Sequence, residues 1–143
     1  MKINDVLRGK PSQAVVTIGP DATVRELIAL LAEHNVGALV VSDDGERVSG
    51  IVSERDVVRR LHADEAVLDT AVSQIMTSDV RTCAVGDALT DLMQTMTEHR
   101  IRHVPVVADG KLTGIISIGD VVKNRIGELE FERDQLDHYV HRT

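Results

Sequence analysis

The chain has 143 residues, of which 43% are apolar and 27% charged, and its formal net charge is −7. This length suits one compact domain or two small repeats with a hydrophobic core, and the acidic balance argues against bulk nucleic-acid binding, which requires a basic surface. No apolar run approaches the roughly 20 residues that span a bilayer, and the first residues do not have the pattern of a signal peptide, so we expect a cytoplasmic protein with neither a membrane nor a nucleic-acid partner.

The first predicted elements are a helix and a pair of strands. Apolar residues recur at i, i+3, i+4 and i+7 within Val24–Leu31, which predicts an amphipathic helix, and Thr23–Glu26 has the pattern of a capping box at its start. Ala38–Val41 then predicts a strand, Asp43–Glu46 a turn, and Gly50–Asp56 a second strand that leads into another helix.

The same order of elements returns in the second half of the chain. A polar segment, Leu61–Val72, predicts a linker with some helix. After it, Leu89–Met96 repeats the helical stripe and Val104–Val107 the strand, and an Asp-Gly turn leads to Gly114–Asp120. The chain therefore contains an internal repeat with the order helix, strand, turn, strand, helix.

Beyond the second repeat the sequence predicts one longer helix. Its apolar residues recur at heptad-like spacing and form what we call the tail seam: Val122, Ile126, Leu129, Leu136 and Val140. Such a pattern is typical of a solvent-facing helix of roughly 20 residues with one apolar stripe. A helix of this kind is marginal in isolation, so we expect it to dock on its own domain or on a second subunit. In the second case the only aromatic residues, Phe131 and Tyr139, would contribute buried area where the subunits meet.

The two repeats, each ending in Gly-apolar-apolar-Ser-x-x-Asp, resemble a tandem pair of cystathionine-β-synthase (CBS) domains, the Bateman module. The residues that carry the resemblance are Gly50–Asp56, Gly114–Asp120 and Ile101–Val106. The resemblance covers Met1 to about Asn124 and implies an α+β fold in which two β-α-β-β-α units form a pseudo-two-fold module with two clefts between them. The C-terminal amphipathic helix predicted from its own apolar spacing follows this module.

Along the chain we place repeat 1 with its lead-in at residues 1–65, repeat 2 at residues 66–124 and the C-terminal helix at residues 125–143. The resemblance further implies a regulatory homodimer that binds adenosine-containing ligands (AMP, ADP, ATP or a related compound) in the clefts and passes the signal to a partner protein. The alternative is a ligand-free interaction or oligomerisation module that acts through its tail helix. No catalytic constellation is visible, so we expect neither an enzyme nor a required cofactor, and a hydrolase or transferase is the least favoured function.

Two Ser-x-x-Asp pairs are the first candidate site residues. By the resemblance, Asp56 and Asp120 would each hold the ribose of one ligand, with Ser53 and Ser117 near its phosphate. A carboxylate can accept two hydrogen bonds from a ribose diol, and amides at a helix start suit phosphate oxygens. The same pattern also predicts a capping box, which needs no ligand.

Basic residues distinguish the two repeats. Arg102 and His103 precede the strand of the second repeat, where the family often contacts phosphate, whereas the first repeat has Gly37 and Ala38 there. Arg55 lies inside the first Ser-x-x-Asp motif, and its counterpart is a glycine. We therefore expect two unequal nucleotide sites, or one functional and one degenerate site. The alternative is that these arginines are solvated surface charges.

The histidines and the cysteine predict no metal or nucleophile. His99 and His103 are separated by the end of the predicted helix, and His138 and His141 lack a fixed third ligand, whereas a closed zinc site needs four. Cys83 has no nearby His or Cys partner and is interpreted as a small core residue.

Overall fold

A computed structural model describes residues 1–11 and 15–141 of the chain. Its helices and strands, in chain order, are α1 (Ile3–Arg8), β1 (Thr17–Ile18), α2 (Val24–His34), β2 (Ala38–Val41), β3 (Gly50–Ser53), α3 (Glu54–Ala63), α4 (Leu89–His99), β4 (His103–Ala108), β5 (Lys111–Ser117) and α5 (Ile118–Val140). Two short 3₁₀ helices, Glu65–Asp69 and Val72–Gln74, lie between α3 and α4. The predicted α+β fold, with two repeats and a C-terminal helix, is confirmed.

The two repeats build similar but unequal sheets. In the first, the strand order is β1-β2-β3, with β1 parallel to β2 and β2 antiparallel to β3. In the second, β4 and β5 form an antiparallel hairpin. The hairpin turn consists of Asp109 and Gly110, with φ angles of 52° and 76°. Two consecutive positive φ angles match the right-handed strand twist, which explains the Asp-Gly pair at this position.

The first strand of the predicted β-α-β-β-α unit is reduced to one residue in the second repeat. Cys83 forms a single parallel bridge with Val106 where β1 pairs with β2 in the first repeat. The chain then turns away, because the carbonyl of Val85 accepts a hydrogen bond from the amide of Asn4 in α1 instead of continuing the ladder.

The lead-in segments are exchanged between the two hydrophobic cores. The core of the second repeat contains the buried apolar residues of α1, which are Ile3, Val6 and Leu7. The core of the first repeat contains buried residues that follow α3, which are Val67, Val72 and Ile75. Each core therefore contains residues from both halves of the chain. The boundaries between repeats at residues 1–65 and 66–124 stay a prediction.

Two glycines make room for this exchange. A Cβ atom on Gly50 would lie 2.6 Å from Sδ of Met76 and 2.9 Å from the carbonyl oxygen of Thr77. A Cβ atom on Gly114 would lie 2.6 Å from Cδ2 of Leu7. Atoms in a close-packed interior do not approach so closely, so glycine at both positions allows the exchanged segment to lie directly on the strand.

Helix α5 is continuous over 23 residues and begins at the cap Ser117. Its first turns pack against the domain through the buried Val121. Farther along, the five tail-seam residues have exposed fractions between 47% and 66%, so the described part of the chain does not cover the seam. No helix within residues 1–11 and 15–141 combines the length and apolarity needed to cross a membrane.

Candidate functional site

Both Ser-x-x-Asp pairs form capping boxes at the start of a helix. At α3, the backbone amide of Ser53 donates to Oδ2 of Asp56 at 2.8 Å, and the amide of Asp56 donates to Oγ of Ser53 at 3.3 Å. Ser117 and Asp120 make the same two bonds at α5, at 3.0 and 3.2 Å. The capping interpretation is therefore confirmed for both pairs, and a ligand role must use the carboxylate oxygen that the cap leaves free.

A cavity of about 280 Å³ lies between the two repeats beside the first capping box. Five of the predicted site residues line it, namely Ser53, Arg55, Asp56, Arg102 and His103. The first three come from the β3–α3 junction; of the last two, Arg102 immediately precedes β4 of the other repeat and His103 begins it. Residues that are far apart in the sequence thus meet around one space, as the resemblance implies.

The other two predicted residues, Ser117 and Asp120, do not line this cavity. Instead Asp120 is ion-paired, because Nζ of Lys10 donates to its Oδ2 at 2.9 Å. The same ammonium group donates to the carbonyl oxygen of Ile115, also at 2.9 Å. Burial raises the pKa of the Asp120 carboxyl, but the hydrogen bond from the backbone amide of Ser117 and the hydrogen bond and charge of Lys10 together outweigh it, so this pKa lies below its ordinary value.

The carbonyl group that accepts a hydrogen bond from Lys10 in the second repeat has a counterpart in the first repeat that accepts one from a backbone amide. Ile51 is the counterpart of Ile115 in the repeat, and its carbonyl accepts a hydrogen bond from the backbone amide of Thr77 at 2.9 Å. Within the described residues no ion pair involves Asp56, whose Oδ2 accepts hydrogen bonds from the backbone amide and the hydroxyl group of Ser53. The two carboxylates therefore differ in charge balance: Asp120 has an internal counter-ion and Asp56 faces an open cavity.

His103 lies where the repeats meet. A Cβ atom on Gly37 would be 3.4 Å from both Cε1 of His103 and Oε1 of Glu54, so the glycine lets the ring and the carboxylate of Glu54 come together over it. Burial is the largest influence on this ring and lowers its pKa; the positive charges of Lys10 and Arg102 act in the same direction. The carboxylates of Glu54 and Asp120 raise the pKa but do not outweigh burial. The imidazole is therefore neutral at neutral pH.

The cavity also contains two arginines that the sequence analysis missed, Arg59 and Arg100. Arg59 follows Arg55 by four residues and so lies on the same face of α3. This spacing is a signal in the sequence from which Arg59 could have been predicted to lie beside Arg55. Arg100 ends α4 with a left-handed backbone, as Asn35 does at the end of α2. Comparing these two positions of the repeat would have exposed the change from asparagine to arginine.

The guanidinium groups around the cavity have no partners within the described part of the chain. Ion pairs there involve other arginines, at positions 25, 125 and 133, and no side-chain hydrogen bond involves Arg55, Arg59, Arg100 or Arg102. The walls thus hold four unpaired guanidinium groups against the carboxylates of Glu54 and Asp56. Such a concentration of positive charge on an acidic protein attracts anions.

The remaining candidate groups of the sequence are the Cys83 thiol and the side chains that could ligate a metal ion. Burial raises the pKa of the Cys83 thiol to about 12, with the nearby Asp87 acting in the same direction, so Cys83 is protonated and is not a nucleophile at neutral pH. Among residues 1–11 and 15–141, no three His, Cys, Asp or Glu side chains come together in a way that could hold a metal ion.

Comparisons with known proteins point to one family. The sequence model of the CBS domain matches residues 3–63 and 72–127. The CBS domain-containing protein CBSX3, mitochondrial, of Arabidopsis thaliana is 36% identical over 146 aligned positions, which cover 96% of this chain and 71% of that protein.

Solved structures have the same fold. The CBS-domain containing protein ATU1752 from Agrobacterium tumefaciens is 45% identical with a TM-score of 0.83, over 87% of this chain and 99% of that one. The CBS domain pair of protein MJ0100, crystallised in complex with 5′-methylthioadenosine and S-adenosyl-L-methionine, has a TM-score of 0.77 at 23% identity, over 86% of this chain and 98% of that one.

Proposed function

The chain belongs to the CBS-domain family and carries two of its repeats in tandem, and on this premise we propose that it is a regulatory sensor of an adenosine-containing ligand. The ligand binds in the cavity between the repeats, and binding changes the affinity of the module for a regulated partner protein. Family membership favours regulation over catalysis. In this proposal the protein requires no cofactor and acts as a cytoplasmic homodimer.

The observation that carries the proposal is the position of Asp56 in a cavity with unpaired guanidinium groups. Oδ2 of Asp56 serves the cap, and no described residue hydrogen-bonds to Oδ1, which can accept hydrogen bonds from a ribose diol. Arg55 and Arg102 lie on the phosphate side, where charge-assisted bonds are the strongest class available. A volume of about 280 Å³ is close to the lower end, about 300 Å³, of ordinary small-molecule pockets, and so suits a nucleoside.

The MJ0100 domain pair supports the class of ligand, because its structure contains two adenosyl compounds. For the present chain we propose one ligand per chain rather than two. The Asp56 cavity is open and lined by four arginines, whereas the ammonium group of Lys10 neutralises Asp120. This is the inequality that the sequence predicts.

Calorimetric titration of the dialysed protein with AMP, ADP, ATP, S-adenosylmethionine and NAD(H) tests the proposal. We expect saturable binding of at least one of these compounds with one ligand per chain. Absence of binding across the whole panel would contradict the sensor function and leave the interaction module as the better hypothesis.

Binding of a phosphate-bearing ligand is expected to involve proton uptake by His103. The pKa of this ring is below its ordinary value of 6.5 in the free protein, and a phosphate placed beside it raises that pKa. The complex then binds more protons than the free protein, so the affinity increases as the pH falls toward and below 6.5 and this contribution is absent at high pH.

Titrations near pH 6 in two buffers of different ionisation enthalpy measure this uptake. The ligand's phosphate also titrates, with a pKa of about 6, so the readout is the difference between wild type and His103→Gln. Equal proton uptake by the two proteins would show that His103 does not face the bound phosphate.

A second candidate function rests on the tail seam. The seam is apolar, it lies at least 47% exposed, and it continues beyond the part of α5 that packs on the domain. We propose that it pairs with the same seam of a second copy, so that the sensor is a dimer joined through its tail helices. If the protein is instead a ligand-free interaction module, its function would be this pairing through the tail helix alone.

A further inference from the structure

A second cavity adjoins the candidate site and shares its arginine wall. The second cavity measures about 390 Å³. Arg55, Arg100 and Arg102 line both cavities. The rest of the second cavity is formed mainly by apolar side chains and by Thr97 of α4. The three arginines therefore lie between the first cavity and the second, and a ligand bound in the first cavity can extend past them into the second.

All the charged side chains that line the second cavity are positive. Its lining contains three arginines and no carboxylate. None of these three side chains is ion-paired in the described part of the chain, although the protein has 23 acidic residues. All three arginines are exposed, so solvent screens their mutual repulsion, and an anion in this cavity can accept charge-assisted hydrogen bonds from more than one guanidinium group.

The backbone of Arg100 is an independent sign that its side chain has a role. Arg100 has φ 53° and ψ 44°, a left-handed conformation that costs most residues energy and that asparagine and glycine adopt more readily. Asn35 occupies the same position in the first repeat, with φ 51°. Residues held in such a conformation against their preference cluster at binding sites.

Resting on the proposed function, we infer that the ligand of this site carries a chain of three or more phosphates. The nucleoside lies beside Asp56 in the first cavity, and the distal phosphates extend past Arg55, Arg100 and Arg102 into the second. A nucleoside triphosphate satisfies this charge distribution. A monophosphate reaches only the first cavity, a thioether nucleoside brings no anion, and a sulfonium nucleoside brings a further positive charge.

The first test compares AMP, ADP and ATP with the full-length protein by calorimetry at constant ionic strength, with inorganic triphosphate as a competitor. We expect the affinity to increase with each phosphate, and ATP to bind at least about tenfold more tightly than AMP, because each charge-assisted hydrogen bond contributes about one order of magnitude or more. Inorganic triphosphate is expected to compete with ATP.

The second test replaces Arg100 by Asn, the residue of the first repeat, so that the left-handed helix end is retained. Arg100→Asn is expected to weaken ATP binding about tenfold and AMP binding by less than about twofold. Arg60→Gln is the matched control, since Arg60 is exposed on α3 and lines neither cavity; it makes the same change in net charge and is expected to leave both affinities unchanged.

The outcomes separate this inference from the proposed function. If AMP binds as tightly as ATP, or if Arg100→Asn weakens both equally, the phosphate-chain inference is wrong and the sensor function stands. If no nucleotide binds, both are wrong. Thr97→Phe, which fills the second cavity from an exposed helix position, provides a further test, because it is expected to abolish the advantage of ATP over AMP.

Discussion

Replacing Asp56 by Asn is expected to weaken ligand binding about tenfold to hundredfold, the range typical of losing hydrogen bonds to a charged group. The amide oxygen of Asn can still accept the bond from the amide of Ser53, so the capping box and helix α3 are retained. The free carboxylate oxygen, which would accept the ribose hydroxyl groups, is lost. Calorimetric titration measures the change in affinity, and thermal unfolding of the unliganded variant checks that the fold is intact.

Asp120→Asn is the matched control for this variant. It changes the same position of the second repeat and also leaves a capping box in place, but it removes a carboxylate that is paired with Lys10 and lines neither cavity. We expect its affinity to stay within about twofold of wild type, because Asp120 lines neither cavity and the loss of its ion pair with Lys10 acts on folding stability and not on a ligand beside Asp56. Equal losses in the two variants would contradict the proposed inequality of the two sites.

The repeated motif made much of this arrangement predictable. Ser53 and Asp56 follow a strand and open a helix, and Arg102 and His103 stand where the other repeat has Gly37 and Ala38. Comparing the two repeats position by position therefore predicted both the capping boxes and the inequality of the candidate sites. The physical basis is that equivalent backbone positions have equivalent surroundings, so a change of side chain at such a position reports a change of role.

Contacts from outside the repeated motif could not be predicted in this way. Lys10 is 110 positions away from Asp120, and only the exchange of the lead-in segments between the cores brings it there. The sequence carries no local signal for that exchange, because the apolar residues of α1 would fit either core equally well by pattern. The glycines at positions 50 and 114 are consistent with a close approach to the strand, but they do not specify which segment approaches.

The spacing of residues along α5 predicts which side of this helix would pair in a dimer. With 3.6 residues per turn, Leu129 and Leu136 lie on the seam, whereas Phe131 lies on the opposite side of α5. Pairing of two seams thus buries the leucines and leaves Phe131 outside. Both aromatic side chains of the tail are widely exposed, Phe131 by 65% and Tyr139 by 74%, but only Tyr139, three residues after Leu136, lies beside the seam.

The double variant Leu129→Glu, Leu136→Glu is therefore expected to convert a dimeric protein to a monomer. Burying each leucine contributes about 1.5–3 kcal/mol, and the glutamates would place charges in the apolar contact, so the dimer dissociation constant should rise more than about a hundredfold. Sedimentation velocity over a range of protein concentrations measures this change. The fold should be unaffected, because both leucines are exposed within the monomer, by 47% and 66%.

Phe131→Glu is the control on the opposite side of the helix. Its exposed fraction, 65%, is nearly that of Leu136, 66%, and phenylalanine is the larger side chain, so the control position exposes at least as much apolar surface but on the other side of the helix. We expect this variant to remain dimeric. A monomeric wild type, or a dimer weakened equally by changes on the two sides, would contradict pairing through the seam. A dimer unaffected by the double variant would place the subunit contact on the two-repeat module and leave the seam for a different protein, the regulated partner.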